Sequence, residues 1–161
     1  MRHFDTLTGN QLASAPKALG VNFILGGSDP DDSLCHQPAR LISALARSDE
    51  ARLRLSLIPL FLEHPKYAEL VRAVARKLDP ATRLTLQCYY SAAVWFQKKY
   101  RPGGIPLPDH FSGDLGLKSI ENPDENLRML AQRYKDLSGS FTNWLSTYQH
   151  AVQVWRKGLD R

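Results

Sequence analysis

The sequence is poor in cysteine and has no long apolar run. Two cysteines in 161 residues cannot form a disulfide framework, which favours a reducing compartment. No stretch approaches the roughly 20 apolar residues that a membrane-spanning helix needs. Residues 1–5 contain no basic stretch leading into an apolar core, so we expect no secretory signal. The sequence therefore predicts a cytoplasmic protein that does not bind membranes.

The motifs of the common enzyme and cofactor sites are also missing. The chain has no Gly-x-Ser-x-Gly, no P-loop, no dinucleotide fingerprint and no Cys-x-x-Cys pair. The run Gly26–Asp32 is similar to the start of a nucleotidyltransferase site, but its aspartates follow too closely to bind Mg²⁺ from alternate strand positions. No ligand spacing supports zinc at Cys35, His36, His64 and Cys88. We predict a protein that is not an enzyme and has no catalytic residue, metal or cofactor.

Positive charge is present in excess and is concentrated in the middle of the chain. The net charge is +5, and residues 37–101 contain twelve basic and five acidic side chains, a local net charge of +7. Such a segment can attract nucleic acid or an acidic partner. The moderate size of this charge favours instead the solvent-exposed faces of helices rich in arginine and lysine.

Start and stop signals predict an all-α fold, a compact bundle of five or six helices within a single domain at residues 37–161. Asp79-Pro80 and Asn122-Pro123 each combine a capping side chain with proline at the first helical position. The stretch Leu53–Leu62 is apolar on nearly every side, which predicts a central helix. Within it, Pro59 predicts a bend or a helix boundary.

Two segments lack a helical pattern. Residues 1–36 contain several glycines and prolines and one short apolar run, so we expect an irregular N-terminal arm. Residues 102–122 are also rich in glycine and proline but include apolar side chains. Loops of this length are usually packed down by their own side chains or functional, so we expect a long ordered loop.

An apolar series near the C-terminus repeats at intervals of three or four residues, the spacing of one helix face. It includes Leu127, Leu130, Tyr134, Leu137, Phe141, Trp144, Tyr148, Val152, Trp155 and Leu159. The phase continues across Ser138–Ser140, which favours one bent helix over two helices joined end to end. Phe141, Trp144, Tyr148 and Trp155 are expected to complete either the core or a contact with another chain.

Aromatic and basic residues alternate near the end of the predicted helix that starts at Pro80. In a site for single-stranded nucleic acid, exposed aromatic side chains stack on bases while basic side chains bind phosphates, which makes Lys98, Lys99 and Arg101 candidate nucleic-acid contacts. The helical spacing of the aromatic residues favours a different arrangement: we expect Trp95 and Phe96 to be mostly buried in the core and the three cations to be exposed, where they stabilise the helix C-terminus.

Three stretches resemble small all-helical bacterial proteins of unknown function that are encoded beside nucleotidyltransferase-like proteins. They are Leu57–Pro65, Tyr89–Val94 and Leu107–Leu117, and the resemblance covers residues 40–155. It implies a non-enzymatic, antitoxin-like protein that binds another protein, such as a nucleotidyltransferase-like one, or associates with itself. The alternative function is a nucleic-acid-binding helical module that uses the basic segment 37–101.

Overall fold

The computed structural model describes the backbone of residues 37–159 and the side chains of residues 37–157, so the predicted arm at 1–36 lies outside the described residues. This part of the chain contains no β-strand, which confirms the all-α fold. A short 3₁₀ turn lies at Pro65–Tyr67. The α-helices are α1 (Pro38–Arg47), α2 (Ala51–Leu55), α3 (Leu57–Glu63), α4 (Ala68–Lys77), α5 (Pro80–Tyr100), α6 (Pro123–Ser138) and α7 (Trp144–Leu159).

The apolar central helix is broken into α2 and α3 at Ser56. Proline clashes with the carbonyl four residues before it, which here belongs to Leu55, the last residue of α2. Pro59 instead occupies the first turn of α3, where no helical partner for its nitrogen is required. The predicted helix boundary is thus confirmed, displaced toward the N-terminus by three residues. With α2 and α3 counted as one broken helix, the described bundle has the expected six.

Helix α5 lies at the centre of the bundle. The Asp79 carboxylate accepts a hydrogen bond from the Thr82 N–H at 3.1 Å, which confirms the predicted cap. Every residue from Cys88 to Gln97 is buried. The whole circumference of α5 is covered here because α3, α6, α7 and the following loop pack around it.

The loop at residues 101–122 is fixed on α5 and α6 by hydrogen bonds, in agreement with the long ordered loop expected at residues 102–122. Leu107, Phe111 and Leu115 are buried in the core. The side chain of Gln97 binds the loop backbone twice, donating to the Ile105 carbonyl at 2.6 Å and accepting from the Leu107 N–H at 2.7 Å. These contacts hold a long irregular segment in one conformation.

The C-terminal apolar series does not form one bent helix, so that expectation is wrong. Helix α6 ends at Ser138 and is followed by Gly139, which adopts a left-handed conformation with φ +70°. The chain then leaves the helical path until Trp144 begins α7, and the rings of Tyr134 and Trp144 stack with centroids 4.2 Å apart. Glycine reaches this conformation without the steric cost that other residues meet, so the chain turns back here.

Candidate binding surfaces

The four predicted partner-contact residues lie in different environments. Tyr148 and Trp155 are buried in the core of the domain, and Trp144 is half-buried. Phe141 is 94% exposed in the turn between α6 and α7. Of the four, Phe141 alone projects fully from the surface.

Trp144 and Tyr148 join an aromatic cluster beneath that turn. Trp144 stacks on Tyr134, and Tyr89 meets Tyr148 edge to face with centroids 5.7 Å apart. Burial raises the pKa of the Tyr148 phenol well above its ordinary value, so the ring remains neutral. Within the described part of the chain, the Trp144 Nε1 and the Tyr148 Oη have no hydrogen-bond partner. The cluster therefore anchors α7 mainly by packing and ring–ring contacts.

Sequence reasoning placed Leu137 on the same helix face but did not single it out as a surface residue. It is 45% exposed in the last turn of α6, four positions before Phe141. The helical spacing predicts that Leu137 packs on the core, and it leaves Phe141 either in the core or in a contact with another chain. Leu137 precedes Gly139 and is partly exposed because it lies in the last turn of α6, whereas the change of chain direction at Gly139 takes Phe141 off the helix face altogether.

The predicted nucleic-acid contacts share one end of α5 but differ in their partners. Lys98 is exposed, with its Nζ 4.8 Å from the centroid of the buried Trp95 ring. Lys99 is exposed and forms an ion pair with Asp124 at 2.7 Å, and this hydrogen bond raises the pKa of Lys99. The expected burial of Trp95 and Phe96 is confirmed.

Arg101 is half-buried, so the expectation that it is exposed is wrong. Its guanidinium lies 4.7 Å from the Trp155 ring and donates to the Leu62 carbonyl at 3.4 Å. A planar cation can cover an aromatic face and also bind the last carbonyls of a helix. Arg101 therefore joins the C-terminal ends of α3, α5 and α7.

Two cations of α7 extend this end of the bundle. Arg156 and Lys157 are exposed, and the guanidinium of Arg156 lies 4.2 Å from the centroid of the half-buried Tyr100 ring. Sequence reasoning missed both because they lie more than 50 residues beyond Arg101. The pairing of α5 with α7 brings Arg156 to the same Tyr100 ring that the Nζ of Lys99 approaches, at 5.3 Å from its centroid.

A second basic feature, which we call the arginine cleft, lies between α4, α5 and the long loop. Its volume is about 390 Å³, and its lining includes Arg72, Arg76, Arg83, Gln87, Phe111 and Asp114. Sequence reasoning missed this site. The i,i+4 spacing within each pair, Arg72 with Arg76 and Arg83 with Gln87, places the two members of a pair on one helix face. Nothing in that spacing indicates that the two faces meet.

Cys88 is a buried residue of the core. Burial raises the pKa of its thiol, which keeps it protonated and unsuited to metal binding or nucleophilic attack. The described residues contain no group of three or more histidine, cysteine or acidic side chains placed to hold a metal ion. Cys35 and His36 of the hypothetical zinc set lie outside them.

The chain matches no known family, no curated protein and no solved structure. Among the helices of the described part, none is both long and apolar enough to cross a membrane.

Proposed function

We propose that this protein is a non-enzymatic interaction protein that binds and regulates another protein through the turn between α6 and α7. We further propose a nucleotidyltransferase-like protein as the partner, on the basis of the resemblance of residues 40–155. In this role the helical bundle is a rigid support, and the residues of the turn contact the partner protein.

The exposure of Phe141 carries this proposal. A phenylalanine side chain that is 94% exposed loses the stabilisation of roughly 1.5–3 kcal/mol that its burial would provide. Leu137 adds a second exposed apolar side chain at the same turn. Aromatic anchors that are exposed in the free protein and buried in a complex supply much of the binding energy at protein interfaces.

Substitution at the turn tests the proposal with a matched control. We expect Leu137→Ser with Phe141→Ser to leave the domain folded and to lower the melting temperature by no more than about 4 °C, because Phe141 is 94% exposed and Leu137 is 45% exposed. Ile105→Ser with Ile120→Ser removes two exposed apolar side chains from the long loop instead.

The readout is stoichiometric co-purification of a nucleotidyltransferase-like protein from the native host, together with light scattering of the purified chain. We expect the turn variant to lose the partner and the loop variant to retain it. Equal retention by both variants contradicts the proposed role of the turn. A concentration-dependent dimer that only the turn variant fails to form assigns the surface to self-association instead.

A second candidate function is nucleic-acid binding at the basic end formed by α5 and α7. The observation that favours it is that Arg156 of α7 and Lys99 of α5 both lie over the ring of the half-buried Tyr100, at 4.2 and 5.3 Å from its centroid. This arrangement provides phosphate-binding cations next to an aromatic ring.

Salt dependence separates this candidate from protein binding. If the basic end binds single-stranded RNA, affinity should fall steeply between about 50 and 200 mM salt. Arg156→Gln with Lys157→Gln should flatten the log–log slope by roughly 0.7 for each phosphate that is no longer neutralised. Arg72→Gln with Arg76→Gln removes two positive charges elsewhere on the surface. This variant is the control and should leave the slope of the salt dependence unchanged. Salt-insensitive or unmeasurable RNA binding contradicts this candidate.

A further inference from the structure

We propose that the arginine cleft is a binding site for a small phosphate monoester, of the size of a nucleotide or a sugar phosphate. This inference does not depend on the proposed partner at the α6–α7 turn. It rests on the cleft's two unpaired cations, on the third arginine that supports them and on the polar groups opposite.

Arg72 and Arg76 supply the charge that a ligand would neutralise. They lie one turn apart on α4, and both are exposed. Within the described part of the chain, neither guanidinium takes part in an ion pair or a hydrogen bond. Two uncompensated guanidinium groups match a phosphate monoester, whose charge is about −1.5 to −2 and which has three acceptor oxygens, better than a singly charged carboxylate.

Arg83 removes an obstacle to anion binding at this position. The cleft lies beside the C-terminal end of α4, where free carbonyls and the helix dipole would repel an anion. Arg83 donates from Nε to the Ala75 carbonyl and from Nη2 to the Leu78 carbonyl, each at 2.9 Å. Its positive charge therefore offsets the negative end of the helix, and Arg72 and Arg76 remain available.

The opposite side of the cleft favours a ligand body that is uncharged and carries hydroxyl or amino groups. Asp114 is exposed and forms no ion pair with the three arginines. Its carboxylate would repel a second anionic group but can accept hydrogen bonds from hydroxyls. Gln87 is half-buried and offers both a donor and an acceptor. A volume of about 390 Å³ is at the lower end of the range for small-molecule sites.

The test is calorimetric titration of the full chain at low salt with AMP, glucose 6-phosphate and inorganic phosphate. We expect both esters to bind more tightly than inorganic phosphate because they also reach Gln87 and Asp114. Arg72→Gln with Arg76→Gln should weaken ester binding about tenfold or more, since it removes charge-assisted hydrogen bonds. Both substitutions are on the surface, and circular dichroism verifies the fold.

Arg156→Gln with Lys157→Gln is the control, because it removes two positive charges at another exposed site. We expect it to change ester affinity less than twofold, and Asp114→Asn to reduce the preference for esters over inorganic phosphate. The proposal is overturned if neither ester binds at millimolar concentration or if both double variants weaken binding equally. It is also overturned if an RNA with a 5′-hydroxyl binds the cleft more tightly than either ester.

Discussion

At the scale of single residues, the long loop depends on a few polar side chains that bind its backbone. Asn126 is buried and exchanges two hydrogen bonds with Ile120, donating to its carbonyl at 2.7 Å and accepting from its N–H at 2.9 Å. Gln97 does the same for Ile105 and Leu107. A buried amide group that loses its hydrogen-bond partner destabilises the folded state, so these two side chains contribute substantially to the stability of the loop.

We predict that Gln97→Ala lowers the free energy of unfolding by about 1–3 kcal/mol, because the buried Leu107 N–H is left without its acceptor. Urea denaturation monitored by tryptophan fluorescence measures the change. Gln149→Ala, at an exposed position of α7, is the control and should change stability by less than about 0.5 kcal/mol. Equal stability of the two variants would show that the loop does not depend on this amide.

At the scale of elements, the caps and the turns decide where helices end. Gly139 has φ +70°, and nothing lies within 4 Å of a Cβ placed there. We predict that Gly139→Ala destabilises the fold by about 1 kcal/mol through backbone strain alone. Gly113→Ala is the control, since that site is equally open and has no positive φ. Thermal melting of both variants distinguishes strain from crowding, and a decrease in stability shared by both would contradict the account.

The cap of α5 should make stability depend on pH. Hydrogen bonds from the Thr82 side chain and N–H hold the pKa of Asp79 below its ordinary value of 3.8. A lowered pKa in the folded state means that the carboxylate stabilises the fold above pH 3.8, and this contribution disappears as the pH falls through the folded value.

We therefore predict that Asp79→Ala lowers the melting temperature at pH 7 and that its difference from the wild type shrinks below pH 3.8. Asp79→Asn retains a capping oxygen but cannot titrate, so its stability should lack this pH dependence. A difference between Asp79→Ala and the wild type that stays constant from pH 7 to pH 2.5 would contradict this role.

Local signals in the sequence predicted most helix boundaries but not the packing of distant segments. Asp79-Pro80 and Asn122-Pro123 mark the starts of α5 and α6 because capping and proline geometry act within one turn. The prediction of one bent helix across Gly139 was wrong, because the spacing of apolar residues indicates which side of a helix is apolar but not where the chain changes direction. The arginine cleft was not foreseen for a related reason: α4, α5 and the loop meet only through tertiary packing.

At the scale of the whole molecule, the bundle separates its surface chemistry into distinct regions. Cations surround the C-terminal ends of α5 and α7, the arginine cleft opens beside α4, and apolar side chains project at the α6–α7 turn. The core between them is continuous, from α1 to α7. We infer that the fold provides a stable support on which binding surfaces can be changed independently, because substitutions at separate surface sites are usually additive.

Photo-crosslinking tests the central claim most directly. A photoreactive phenylalanine analogue replaces Phe141 in the chain expressed in the native host, and Ile105, which is 61% exposed on the long loop, receives the same analogue as a control. We predict one discrete crosslinked protein, nucleotidyltransferase-like in sequence, from position 141 and none from position 105. No product, or the same products from both positions, would contradict the assignment of the α6–α7 turn as the binding surface.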